Sequence, residues 1–71
     1  MNRKTIAGVE LEAVRFERPV KHWRVKVVPT GVVIEAGVFK SSSRPVMWED
    51  IEYRARRFGE ERFAKDLLEA A

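Results

Sequence analysis

Residues 22–40 read His22-Trp23-Arg24-Val25-Lys26-Val27-Val28-Pro29-Thr30-Gly31-Val32-Val33-Ile34-Glu35-Ala36-Gly37-Val38-Phe39-Lys40, and the way this stretch pairs with itself decides the fold. A two-residue turn centred on Thr30 and Gly31 sets Trp23 opposite Val38, Val25 opposite Ala36 and Val27 opposite Ile34. Successive side chains of a strand point to opposite faces. Turning those apolar pairs inward therefore sends His22, Arg24 and Lys26 outward, opposite Phe39, Gly37 and Glu35.

Upstream, Val9-Glu10-Leu11-Glu12-Ala13 alternates cleanly, and then the parity changes, with Val14 and Phe16 apolar and Arg15 and Glu17 charged. A bulge near Ala13 or Val14 reconciles the two halves. It places Phe16 near Trp23, Val14 near Val25 and Leu11 near Val27, so three strands share one apolar face. Arg18-Pro19-Val20-Lys21 connects the first strand to the second, because Pro19 cannot donate to a ladder. The third strand runs from Val32 to Lys40 and ends in Ser41-Ser42-Ser43-Arg44-Pro45, where Pro45 suits a first helical turn.

Downstream, Met47, Ile51, Ala55 and Phe58 recur at helical spacing, with Trp48 beside them and acids (Glu49, Asp50, Glu52) toward the start. Past Phe58 the stripe changes phase to Phe63, Ala64, Leu67, Leu68 and Ala71, with Gly59 at the change. The expected architecture is α+β. It is a three-stranded antiparallel meander with one C-terminal helix, broken near Gly59 into two segments and packed on one sheet face, in a single domain over residues 1–71. A continuous helix with two apolar faces is the alternative.

Seventy-one residues bury a smaller share of their surface than a larger domain would, and with no cysteine there is no disulfide or thiolate site to compensate. The composition, 45% hydrophobic and 35% charged, describes a folded core under a charged surface. No run approaches the ~18 apolar residues of a spanning helix, and Met1-Asn2-Arg3-Lys4-Thr5 lacks the apolar stretch of a signal peptide. A cytoplasmic protein without membrane association is expected. The net charge of +3 is uneven: residues 1–45 carry nine bases against four acids, and residues 46–71 five bases against seven acids. Such asymmetry directs the first half toward an acidic partner.

Catalytic and metal chemistry lack a constellation. Ser41, Ser42 and Ser43 have no base beside them in sequence, and the single histidine, His22, reads as a surface strand residue paired with Glu17. Neither a catalytic residue, a metal ligand nor a cofactor is expected. Asp50 before Arg54, Glu52 before Arg56 and Glu61 before Lys65 have the spacing of helix ion pairs. Arg57, preceded at that spacing by Tyr53, is left available to a partner.

The outward sheet face is the expected binding surface. Arg15 and Arg24 become cross-strand neighbours beside Gly37, His22 lies opposite Phe39, and Arg18, Lys21, Lys40 and Arg44 crowd the same end. Glu12, Lys26 and Glu35 form a self-satisfying ladder at the other end. Such a mixed face suits a protein partner with an acidic surface. The expected function is thus a small non-enzymatic adaptor or inhibitor docking on a larger protein assembly. A phage or mobile-element accessory protein that blocks a host nucleic-acid-handling or defence complex fits that description.

The alternative is direct DNA or RNA binding. Three strands followed by a helix resemble, in topology, the arm-binding domains of phage integrases, and that resemblance implies a sheet entering the major groove. Arg15 and Arg24 would then reach base edges, with Arg18, Lys21, Lys40 and Arg44 on phosphates. The stripe of Phe63, Leu67 and Leu68 must be covered by the sheet or by a second copy in a homodimer.

Overall fold

Strand β1 (Arg3–Ile6) and strand β2 (Val9–Phe16) form an antiparallel hairpin that adds a strand in front of the expected meander. The computed structural model describes residues 2–70; Met1 and Ala71, the latter closing the expected helical stripe, lie outside the described residues. Ile6 pairs with Val9 across a two-residue turn, Ala7-Gly8, in which both φ angles are positive, 54° and 77°. Tight hairpins need that geometry because it matches the twist of the flanking strands. Ala7 adopts it at a cost of about 1–2 kcal/mol. Ala7→Asn is therefore expected to stabilise the chain by about 0.5–1 kcal/mol, raising Tm by roughly 3–6 °C in a thermal melt.

β3 (His22–Val27) pairs with β2 in unbroken register, from Leu11 opposite Val27 to Phe16 opposite His22. The bulge expected at Ala13 or Val14 is not there. β2 lies between β1 and β3, and the amide of Ala13 bonds the Asn2 carbonyl at 2.6 Å, so regular spacing keeps both of its edges paired. The parity change in the sequence instead records a second, smaller apolar cluster. Val14 and Phe16 sit on the outer face with His22 and Arg24, while Arg15 and Trp23 share the helix side.

The hairpin after β3 is wider than expected. Its turn takes four residues, Val28–Gly31, with the Gly31 amide bonding the Val27 carbonyl at 2.8 Å. Val27 therefore faces Val32 and Val25 faces Ile34, in β4 (Val32–Ile34). The slip is two residues, so the inward and outward sets on β3 survive it. Beyond Ile34 the chain leaves the ladder, makes a 3-10 turn over Gly37–Phe39, and rejoins β3 as β5 (Lys40–Ser41), with Trp23 opposite Ser41. The sheet order is β1-β2-β3-β4, with β5 beside β4 along β3.

Two helices, α1 (Arg44–Phe58) and α2 (Glu60–Glu69), pack on the helix side where one broken helix is expected. Ser43 caps α1, its hydroxyl accepting from the Val46 amide at 3.4 Å, and Pro45 occupies the first turn, where its missing N–H costs nothing. Gly59, at φ 90° and ψ 130°, separates the helices in a conformation other residues avoid. The fully buried side chains are Leu11, Val25, Val27, Met47 and Ile51. Phe63 and Leu67 of α2 join that cluster, and the Lys4 ammonium bonds Glu52 of α1 at 2.8 Å, tying the edge strand to the helix.

Candidate functional site

The eight residues expected on the sheet face and its adjoining loop fall in three places, while Arg57, expected on the helix, lies in α1. Arg15 and Arg24 lie on opposite faces of the sheet, because Arg15 pairs with Trp23 and Arg24 with Val14. They are therefore not the cross-strand neighbours expected.

The first place is the outer face. His22 is only 4% exposed, not a surface residue. Its ring stacks on Phe16 with centroids 5.5 Å apart and 16° between planes. Nδ1 donates to the Val20 carbonyl at 2.7 Å, and Arg24 Nε donates to Nε2 at 2.9 Å. The Arg24 guanidinium lies 4.1 Å from the centre of the Phe16 ring and pairs with Glu35. Both nitrogens of the imidazole are engaged, so His22 has no free base to offer a substrate. Lys40 shares this face as the cross-strand partner of Arg24.

Further along the outer face Arg3 meets Glu10 at 3.1 Å and Glu12 at 4.0 Å, and Glu12 stands opposite Lys26. Lys26 faces Val33 on its other side, so the expected Glu12-Lys26-Glu35 line stops at two members. This face is an internally balanced surface.

The second place is the end of the sheet where β3 begins. Trp23 holds two guanidiniums, Arg15 at 5.5 Å and Arg44 at 5.1 Å from its ring. Arg15 also approaches Glu17 at 3.7 Å, and Arg44 donates to the Asn2 side chain. Arg18 and Lys21 are exposed in the connection beside them. Two of the three serines are spent locally: Ser43 caps α1, and Ser41 accepts from the Ser43 amide at 3.1 Å.

The third place is a groove that the expected patch touches only through Phe39. The Phe39 ring turns to the helix side and stacks on Phe63, centroids 6.1 Å apart. Gly37 sits near Arg54 of α1 rather than on the sheet face. Ile34, Phe39, Phe58, Phe63, Leu67 and Ala70 line the groove, which holds about 620 Å³. Its charged walls are Arg54, Arg62 and Asp66. Phe58, expected in the core, is 61% exposed on the rim, with the Arg54 guanidinium 5.5 Å from its ring. The physical reason is the turn at Gly59, which brings Phe63 beneath Phe39 and leaves Phe58 outside. Two apolar stripes that diverge at Gly59 leave a wedge between them, and that divergence was the sequence signal for the groove.

The expected helix ion pairs are missing as well. Glu52 is drawn to Lys4, and among the described residues no carboxylate lies within 4.0 Å of Arg54, Arg56 or Arg57. Arg62 with Asp66, at 3.7 Å, is the pair at helical spacing that forms. Arg57 is exposed, one turn beyond Arg54. Among the described residues no helix is long and apolar enough to cross a membrane. Comparison with protein-family models, curated proteins and solved structures finds no match to this chain.

Proposed function

We propose that this chain is a non-enzymatic docking protein, an adaptor or inhibitor that acts by occupying a surface of a larger protein. The observation that carries the reading is the groove between the 3-10 turn, α1 and α2, an apolar cleft with an aromatic ring, Phe58, exposed on its rim. Exposed apolar concavities rimmed by polar groups are characteristic of partner sites. The outer sheet face, with Arg24 held by His22 and Glu35, contributes stability in this reading rather than binding. The engaged imidazole of His22 supports a role without catalysis.

The test is site-specific photo-crosslinking in the native host, with the photoreactive residue at position 58 or, as control, at Thr5 on the far face. A discrete protein adduct from position 58 alone is expected. The same adducts from both positions, or none from position 58, would overturn the reading.

A second reading is favoured by one observation, the pair of arginines held on Trp23 with Arg18 and Lys21 in the adjoining connection. Stacking uses the faces of the guanidiniums and leaves their N–H edges to donate to phosphate. The added β1 strand and second helix depart from the three-strand, one-helix layout, so this reading rests on the basic end and not on topology. Duplex DNA titrated across a salt series separates the two. The docking reading expects no saturable binding at low salt. Saturable binding that falls with a log–log slope of roughly −3 to −5, as about four neutralised phosphates require, would favour nucleic acid.

A further inference from the structure

We infer that the occupant of the groove is an acidic amphipathic helix of the partner protein, an inference that rests on the docking reading above. Three observations point to that chemistry. The first is charge. Two arginines, Arg54 and Arg62, and one acid, Asp66, line the walls, and Arg57 follows one turn beyond Arg54. Asp66 is already engaged by Arg62, and Arg54 and Arg57 have no carboxylate within 4.0 Å among the described residues. The rim therefore presents unanswered positive charge around an apolar floor.

The second is dimension. Along α2 the lining runs from Arg62 to Ala70, a rise of roughly 12 Å or about two helical turns, and Arg54 and Phe58 stand one turn apart on α1. Lining residues at helical spacing on both helices match a helix that presents apolar anchors at i, i+3 or i+4, and i+7. The third is the edge of the sheet beside the groove. β4 has three residues, which offers too few main-chain bonds for an added strand to bind by ladder pairing.

A second copy of the chain fits poorly. Its α2 has already committed Phe63 and Leu67 to its own core, leaving Leu68, 46% exposed, as a single anchor. Groove against groove would set the Arg54 and Arg62 of each copy against those of the other.

The test uses the full chain and a displayed library of helix-forming peptides with apolar anchors at i, i+4 and i+7 and randomised charge elsewhere. Enrichment of acidic peptides is expected. Binding of the enriched peptides, followed by fluorescence anisotropy, should weaken by about tenfold or more in Phe58→Ala and in Arg54→Glu. Both residues are exposed, and unchanged circular dichroism of the variants verifies that their folds are intact. Enriched peptides that are neutral or basic yet depend on Phe58 would overturn the acidic helix and leave the docking reading standing. Peptides indifferent to Phe58 would overturn both. Sedimentation of the chain alone gives the remaining outcome: self-association abolished by Phe58→Ala would make the occupant a second copy and refute the proposal.

Discussion

A chain ending at Gly59 is expected to lose its cooperative unfolding transition altogether. Helix α2 places two nearly fully buried side chains, Phe63 and Leu67, into the same cluster as Met47, Ile51 and Val25. Losing a buried Phe costs about 3–5 kcal/mol and a buried Leu about 2–5, because the lost contacts leave a gap that neighbours fill incompletely. A domain of this length has a total stability of roughly 4–10 kcal/mol. Removing both residues therefore consumes most or all of it. Truncation also uncovers Phe39, whose ring rests on Phe63. The check is urea unfolding followed by near- and far-ultraviolet circular dichroism. The full chain should give one sigmoidal transition and the truncated chain a shallow drift, with Phe63→Ala intermediate and about 3–5 kcal/mol less stable. A truncated chain that melts at the wild-type midpoint would make α2 an appendage, and the groove could then not be a rigid part of the fold.

What could be read in advance depended on whether local chemistry had one outcome. Leu11 against Val27, the cap at Ser43 with Pro45 behind it, and the break at Gly59 follow from alternation, capping and backbone freedom, and each stands in the structure. The slip at Thr30-Gly31 was harder, since a two-residue and a four-residue turn send the same β3 side chains inward, and Gly31 suits either. β1 escaped notice because its inward residues are Lys4 and Ile6, one of them charged and satisfied by Glu52 forty-eight positions away. No local pattern announces a partner at that distance. Its turn is equally quiet, with Ala7 standing where asparagine or glycine would have signalled a hairpin.

The binding surface was less legible than the fold for the same kind of reason. A change of parity at Val14 has two physical solutions, a bulge that keeps one apolar face or a straight strand with apolar residues on both. The regular ladder on both edges of β2 selects the second, and with it Arg15 changes faces. Helical spacing also overstates ion pairing. Glu52 prefers a partly buried lysine to the exposed Arg56, as expected where exposed helix pairs add only about 0.3–0.5 kcal/mol. Freed of its acid, Arg54 of α1 joins Arg62 of α2 in the wall of a groove that no single segment of sequence encodes.

Replacing Arg24 by alanine is expected to cost about 2–3 kcal/mol of stability while leaving groove binding unchanged. The outer face has no helix over it, and His22 is nonetheless buried there by Phe16 on one side and bonded by Arg24 at Nε2. Because Nδ1 donates to the Val20 carbonyl, the hydrogen-bond pattern assigns Nε2 as the acceptor of a neutral imidazole. Arg24→Ala removes its donor. A buried acceptor left unpaired costs about 1–3 kcal/mol. The same substitution uncovers the Phe16 ring, from which the guanidinium stands 4.1 Å, worth about 0.5–1 kcal/mol at a partly exposed site. The pair with Glu35 adds little, since the Glu35 side chain is 61% exposed. Arg24→Lys should recover only part of the loss, because an ammonium keeps the charge but not the planar stack on Phe16 together with the bond to Nε2. A double-mutant cycle isolates the contact. In a His22→Phe background there is no acceptor to orphan, so Arg24→Ala should cost about 1–2 kcal/mol less there than in the wild type. Urea unfolding of the four proteins measures that difference. Equal costs in the two backgrounds would show that Arg24 does not act through His22. An Arg24→Ala chain of wild-type stability that fails to bind the groove's peptides would return this cluster to the docking surface.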